Sequence, residues 1–293
     1  MASFVLSAFA DEASKTVEGQ IAALKRNGIP HIEPRGLNGK SVMDLTDAEV
    51  TAYAEALKAE GITTYSFGSP IGKYGIDEDF DAYLPTVRRA LEITRLLGAE
   101  NMRAFSFFVT QDRLAECKDE VLRRMGVMLD MAREAGICLC HENESRIYGQ
   151  MPDQVEELLL AFPDLYSVFD AANYRMNDAD VDRGIAVSMI RPRYAHIKDA
   201  VFSERAIVPA GEGEGKIGEL IDVLDRQMDG TVVLTIEPHL AVFDGYSKID
   251  THTLKGKYTF ESNDQAFDAA VTAIKTVLKN KGYKEGEGHV WTK

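Results

Sequence analysis

The sequence predicts an α/β fold, a single-domain (β/α)₈ barrel of the TIM type spanning residues 1–293. Three observations carry that expectation. Short apolar runs alternate with longer segments of helical periodicity, and eight such units follow one another with no break in composition. Eight alternations in 293 residues match a barrel of roughly 250 residues with modest additions. The runs are apolar on both faces, as in a parallel sheet covered by helices, and they end in charged residues where such sheets bind ligands. A doubly wound open sheet is the competitor. It usually has fewer strands and would need a glycine-rich first turn, which this chain lacks.

Strand one is read over residues 4–10 and ends at Asp11 and Glu12. Ser14 reads as the cap of a helix carrying Val17, Ile21 and Leu24, stopped by Asn27-Gly28. Residues 29–35 form strand two, with Glu33 and Arg35 at its far end. Thr46 opens a helix to Gly61, residues 62–68 form strand three, and a helix from about Glu78 ends at Gly98. Strand four covers 101–108, a long helix runs from Leu114 to Ala135, and strand five follows from Ile137 into His141-Glu142-Asn143-Glu144. Pro152 starts the next helix. Strand six covers 165–170, a helix 180–190, strand seven 193–199, a helix 217–228, strand eight 231–237 and a last helix 264–279. A polar insertion at about 243–262 precedes that helix and reads as a dimer contact or a substrate lid. Gly211 to Gly215 matches no phosphate-binding spacing and reads as a flexible loop able to close over substrate.

Composition narrows the function. A net charge of −14 argues against nucleic acid and anionic membranes, whose phosphates attract Lys and Arg. No apolar run approaches the roughly 20 residues that cross a bilayer. Ala8-Phe9-Ala10 imitates a signal-cleavage site but lacks a basic start and a long apolar stretch before it, so it is read as part of strand one. Cys117, Cys138 and Cys140 are too few for a disulfide framework, which fits a reducing cytoplasm. Cys138 and Cys140 are expected to face the helix layer.

Four strand ends carry metal-ligand residue types: Glu142, Asp170, His196 and Glu237. Their separations of 28, 26 and 41 residues are each about one barrel unit, the last lengthened by the glycine loop. Neighbouring strands lie about 4.8 Å apart, so four ends can meet on one cation. Three carboxylates and an imidazole suit Mn²⁺, with Zn²⁺, Mg²⁺ or Co²⁺ as alternatives. Singly, each residue is as well explained as a helix cap, an ion-pair partner or a hydrogen-bonded histidine. The phase of all four lifts the set above that reading.

His141-Glu142-Asn143-Glu144, Phe169 to Asn173, His196 to Asp199, Pro209 to Gly215 and Ile236-Glu237 together resemble the sugar phosphate isomerase/epimerase family of the xylose isomerase-like TIM barrel superfamily. The resemblance runs over nearly the whole chain. It implies a divalent metal held by Glu142, Asp170, His196 and Glu237, with Glu142 and Glu237 as the acid/base pair. The implied reaction is isomerisation or epimerisation of a small sugar, ketose or sugar phosphate through a metal-stabilised enediolate. One departure stands out: many relatives carry His three residues after the strand-six aspartate, whereas this chain has Asn173, which cannot move a proton.

Glu33, Arg35, Asn173, Lys198, Arg205 and His239 are expected substrate-binding residues, and Arg103 an interior or site residue. Trp291 is expected at an interface or the barrel base. The alternatives are a dehydratase or lyase acting on a cyclitol or keto-sugar, and a non-catalytic sugar-binding barrel. The expected partner is a small carbohydrate, and a homo-oligomer is compatible with the sequence.

Overall fold

In the computed structural model, which describes residues 1–241 and 260–293, the eight apolar runs lie side by side as parallel strands. They are β1 (Ala2–Ala8), β2 (His31–Ile32), β3 (Thr63–Phe67, interrupted at Tyr65), β4 (Asn101–Ala104), β5 (Cys138–Glu142), β6 (Tyr166–Asp170), β7 (Pro192–Ile197) and β8 (Gly230–Ile236). β1 pairs with β8 along its whole length, Ala2 opposite Gly230 and Ala8 opposite Ile236. From β8 the pairing runs through β7, β6, β5 and β4 to Ser66–Phe67 of β3. Thr63–Thr64 of the same strand pairs with β2, and the Glu33 amide donates to the Ala8 carbonyl (3.1 Å) to close the ring. A closed ring leaves no edge strand open to other chains.

Nine helices of the described residues cover the ring: α1 (Val17–Arg26), α2 (Asp47–Ala59), α3 (Phe80–Leu96), α4 (Leu114–Ala135), α5 (Pro152–Ala161), α6 (Ala171–Met176), α7 (Val181–Ser188), α8 (Ile217–Gln227) and α9 (Asn263–Asn280). Their starts follow local chemistry. Thr46 and Glu49 form a reciprocal capping box on α2, Asp79 caps α3 and Asp180 caps α7. α4 stops where Gly136 takes a left-handed φ of 70°, cheap for glycine alone. Thr16, not Ser14, caps α1 by accepting from the Gly19 amide; Ser14 Oγ accepts one step earlier, from Thr16. None of the helices is long and apolar enough to cross a membrane.

Several expectations are corrected. Strand four ends at Ala104, because Phe107 adopts φ 67° and residues 105–108 turn to bond the 71–74 segment. Strand seven stops at Ile197, and Asp199–Val201 instead pairs antiparallel with Ala206–Val208. The glycine-rich loop is not loose. Its amides at Gly211, Gly213 and Gly215 all donate to the Asp199 carboxylate at 2.8–3.1 Å, and a Cβ at Gly213 would meet that carboxylate at 2.3 Å. Cys140 faces the barrel interior with Val5, Val168, Tyr194 and Val233, and Cys138 packs against them. Alternation along β5 requires this once Glu142 points inward. Trp291 is buried at the barrel base, opposite Phe4 in a terminal hairpin. Most of the insertion read at 243–262 lies outside the described residues.

Candidate metal centre and its surroundings

The predicted ligands converge. Glu142, Asp170, His196 and Glu237 each offer one ligand atom, all within 4.8 Å of one another and all buried. Asp170 ends β6 and caps α6, its Oδ1 accepting from the Asn173 amide (2.8 Å). The cap fixes the carboxylate, so Oδ2 is left to face Lys198 Nζ at 3.1 Å. Asn143 then locks the ends of β5 and β6 together, accepting from the Asp170 amide (2.9 Å) and donating to its carbonyl (2.8 Å). No sequence signal beyond its place in the strand-five motif marked Asn143 for that role.

His196 is oriented from behind. Its Nε2 meets Glu33 Oε2 at 3.2 Å, and Glu33 Oε1 accepts from the Tyr194 hydroxyl at 2.7 Å. That leaves Nδ1 facing the cluster, 3.0 Å from Glu142 Oε1 and 3.4 Å from Glu237 Oε2. A carboxylate behind a ligand histidine is the usual way a metal site fixes tautomer and ring angle. Glu33, expected as a substrate-binding residue, has no exposed surface and contacts the imidazole and the Tyr194 hydroxyl.

Cations balance the carboxylates. Arg103 Nη1 lies 3.2 Å from Glu142 Oε2, anchored by the Gly68 and Ser69 carbonyls. Arg35 reaches Glu237 at 3.5 Å while holding Asp11 and Glu12 at 3.1 and 3.0 Å. Lys198 spans Asp170 and Glu237. Burial pushes the Glu142 carboxyl up, but His196 and Arg103 outweigh it and hold it at about 2. Glu237 is likewise raised by burial and pulled well below the usual range by Lys198, His239 and His196. Burial depresses the His196 imidazole, yet Glu142 and Glu33 hold it well above its ordinary value. Burial carries Asp170 up to about 7 against Lys198, and Glu12 up to about 8 against Arg35.

The donor set fits a divalent ion. Glu142 Oε2, Asp170 Oδ2 and Glu237 Oε2 are buried without a well-formed hydrogen bond, faced only by ion-pair nitrogens of Arg103, Lys198 and His196 at 3.1–3.4 Å, so their lone pairs could also serve a metal ion. Three such oxygens beside an imidazole nitrogen is an oxygen-rich, borderline-hard site.

Comparison with known proteins agrees with this architecture. The description of a xylose isomerase-like TIM barrel matches residues 21–251. The chain belongs to that family. No curated protein matches it in sequence. Among solved structures, the xylose isomerase-like barrel superposes on the probable 3-DHS dehydratase AsbF of Bacillus anthracis with a TM-score of 0.71 at 12% identity, covering 94% of this chain and 99% of that one. The IOLI protein with a bound zinc atom gives 0.71 at 13%, covering 94% and 98%. An L-ribulose 3-epimerase gives 0.70 at 18%, covering 96% and 95%.

The remaining expected residues divide. Asn173 Nδ2 donates to Glu142 Oε1 (3.3 Å) and to the Asn143 carbonyl (2.9 Å), so it steadies that carboxylate. Lys198, Arg35 and His239 adjoin Glu237, His239 Nε2 at 3.1 Å from its Oε1 and its amide donating to Glu12 Oε2 at 2.7 Å. Arg205 does not join them. It is exposed at the tip of the 199–208 hairpin, bonded to the Met176 carbonyl and set over Phe202. Loop proximity in sequence could not show which way that tip turns. Glu12 and Asp11 went unassigned, although they end strand one as Glu142 ends strand five.

Proposed function

We propose that this chain is a metal-dependent isomerase or epimerase of a small polyhydroxy carbonyl compound: a sugar, ketose or sugar phosphate. The observation that carries the reading is the buried convergence of Glu142, Asp170, His196 and Glu237, each offering a ligand atom within 4.8 Å of the others. The donor set favours Mn²⁺, with Zn²⁺, Mg²⁺ or Co²⁺ as alternatives. A bound divalent ion polarises a carbonyl and its neighbouring hydroxyl and so acidifies the C–H between them.

The chain's own groups supply the proton transfers. Glu142 and Glu237 are held as carboxylates, by Arg103 on one side and by Lys198 and Arg35 on the other. One removes the proton next to the carbonyl, and the other returns it at the opposite face or the adjacent carbon. Lys198, beside Asp170 and Glu237, is placed to balance charge developing on the substrate oxygen. Burial keeps water from quenching the enediolate. Asn173 holds Glu142 in place and moves no proton. The unpaired cysteines support a cytoplasmic setting.

A dehydratase is the second reading, since Lys198 beside the same enediolate can protonate a departing β-hydroxyl. The test begins with metal analysis of the purified chain. A panel of ketoses, ketose phosphates and inososes is then screened for metal-dependent exchange of an α-hydrogen in D₂O. Glu142→Gln and Glu237→Gln variants that hold metal at full turnover overturn the acid/base assignment; loss of water from the product selects the dehydratase.

A further inference from the structure

We propose that Glu12, just past the end of β1, is a positioning residue for Glu237. Through His239 and Arg35 it keeps Glu237 Oε1 turned away from the candidate ligand cluster, so that Oε2 faces it. This role rests on the reading of Glu142, Asp170, His196 and Glu237 as a metal centre, and it falls to a residue the mechanism leaves unused.

The chain leaves β8 in an unusual way. The Phe9 amide donates to the Ile236 carbonyl (3.0 Å) and the Glu237 amide to the Ile197 carbonyl (3.2 Å), so the strand is paired on both sides up to this point. Pro238 follows and has no N–H to offer. The next amide is that of His239, which is buried and takes a φ of 45°, a left-handed value uncommon for a residue with a Cβ. Its acceptor is not a strand carbonyl but Glu12 Oε2, at 2.7 Å and 227 positions away. Glu12 is itself buried, on the single turn Ala10–Glu12 that follows β1. A left-handed backbone held by a buried side chain from a distant part of the chain directs attention to the group it carries.

That group is an imidazole aimed at Glu237. His239 Nε2 lies 3.1 Å from Glu237 Oε1 and 3.4 Å from Glu12 Oε1. Arg35 repeats the arrangement: Nη2 donates to Glu12 Oε1 at 3.0 Å, and Nη1 lies 3.5 Å from Glu237 Oε1. Glu12 therefore holds two groups that both face the same oxygen of Glu237. Lys198 Nζ adds a third nitrogen there at 3.5 Å, whereas Oε2 faces His196 Nδ1 at 3.4 Å.

The last torsion of a glutamate is broad and nearly two-fold, so nothing within Glu237 decides which oxygen points into the cluster. The nitrogens gathered on Oε1 decide it. A purely structural role for Glu12, satisfying a buried amide, makes a different prediction: stability is lost and metal affinity is unchanged.

The test uses two variants of the full chain. Glu12→Gln keeps the size of the side chain but has one acceptor oxygen where the carboxylate has two, so it cannot serve both the His239 amide and Arg35. His239→Asn tolerates the left-handed backbone and removes the imidazole. Mn²⁺ is titrated by calorimetry into metal-free wild type and variants, urea unfolding of the same samples reports stability, and metal-free crystal structures show the Glu237 carboxylate. Both variants are expected to bind Mn²⁺ about 10–100-fold more weakly, with the Glu237 carboxylate turned or split between two orientations. Unchanged affinity, or a Glu237 carboxylate that stays as in wild type, overturns the proposal whatever unfolding shows. Where Glu12→Gln does not fold, His239→Asn decides alone. Wild type that takes no Mn²⁺ removes the metal-centre reading, and the carboxylate then decides by itself: turned in the variants, the positioning role stands; unmoved, it is lost.

Discussion

The barrel interior holds two layers built by the same strands, and they obey different rules. The lower layer is Val5, Cys140, Val168, Tyr194 and Val233. Two residues further along β5, β6 and β7 stand Glu142, Asp170 and His196. In the lower layer a side chain is satisfied by area and volume, which are non-directional. In the upper layer each buried charge needs a partner at the right angle, because an unpaired one is prohibitive. Hence Arg103, Arg35, Lys198 and Glu33 surround the four candidate ligands, whereas the layer beneath is packed by apolar contact. Tyr194 belongs to both, its ring in the apolar layer and its hydroxyl on Glu33.

Substitutions can break or sharpen that division. The largest effect is expected from Glu142→Gln, which keeps the shape of the site but removes the proposed base; turnover should fall by about 10²–10⁴-fold, read as D₂O exchange. Glu33→Gln should weaken metal binding by about 10–100-fold in calorimetry. Acidity is the third probe. Metal binding must expel the proton that burial keeps on Asp170, so affinity should rise about tenfold per pH unit up to about 7 from this group and then level off.

The signs of the two stability contributions differ. Asp170, raised from 3.8 to about 7 in the fold, contributes stability below pH 3.8 that is lost as pH rises through 7. Glu142, lowered from 4.5 to about 2, contributes above pH 4.5 and loses it as pH falls through 2. Val233→Ala, in the lower layer, should cost about 0.5–3 kcal/mol in denaturant unfolding and leave metal affinity unchanged. Arg205→Ala should change stability by less than about 0.5 kcal/mol and leave turnover intact, in keeping with its exposed tip.

Much of this was legible in the sequence because it is local. Strand-length apolar runs, caps such as Thr46 and stops such as Gly136 depend on neighbours within one turn. The convergence of the four candidate ligands was legible because strand ends in phase must meet when a barrel closes. Cys140 shows a missed opportunity: its parity with Glu142 already required an inward side chain. Asp199 shows a different limit. Its three glycine amides come from a loop that returns only after an unforeseen hairpin, so nothing in residues 209–215 alone distinguished a rigid carboxylate cradle from a lid.

The sequence by itself determined the order of elements, the closed eight-strand architecture and the four candidate ligand positions, since periodicity and phase are properties of the chain. Only the tertiary structure decided which charge answers which. Glu33 lies under His196 from a residue 163 positions away, and Arg103 meets Glu142 from the neighbouring strand. Such pairings depend on the register and direction of strands brought together by folding, and electrostatic energy at 3 Å is set by that geometry.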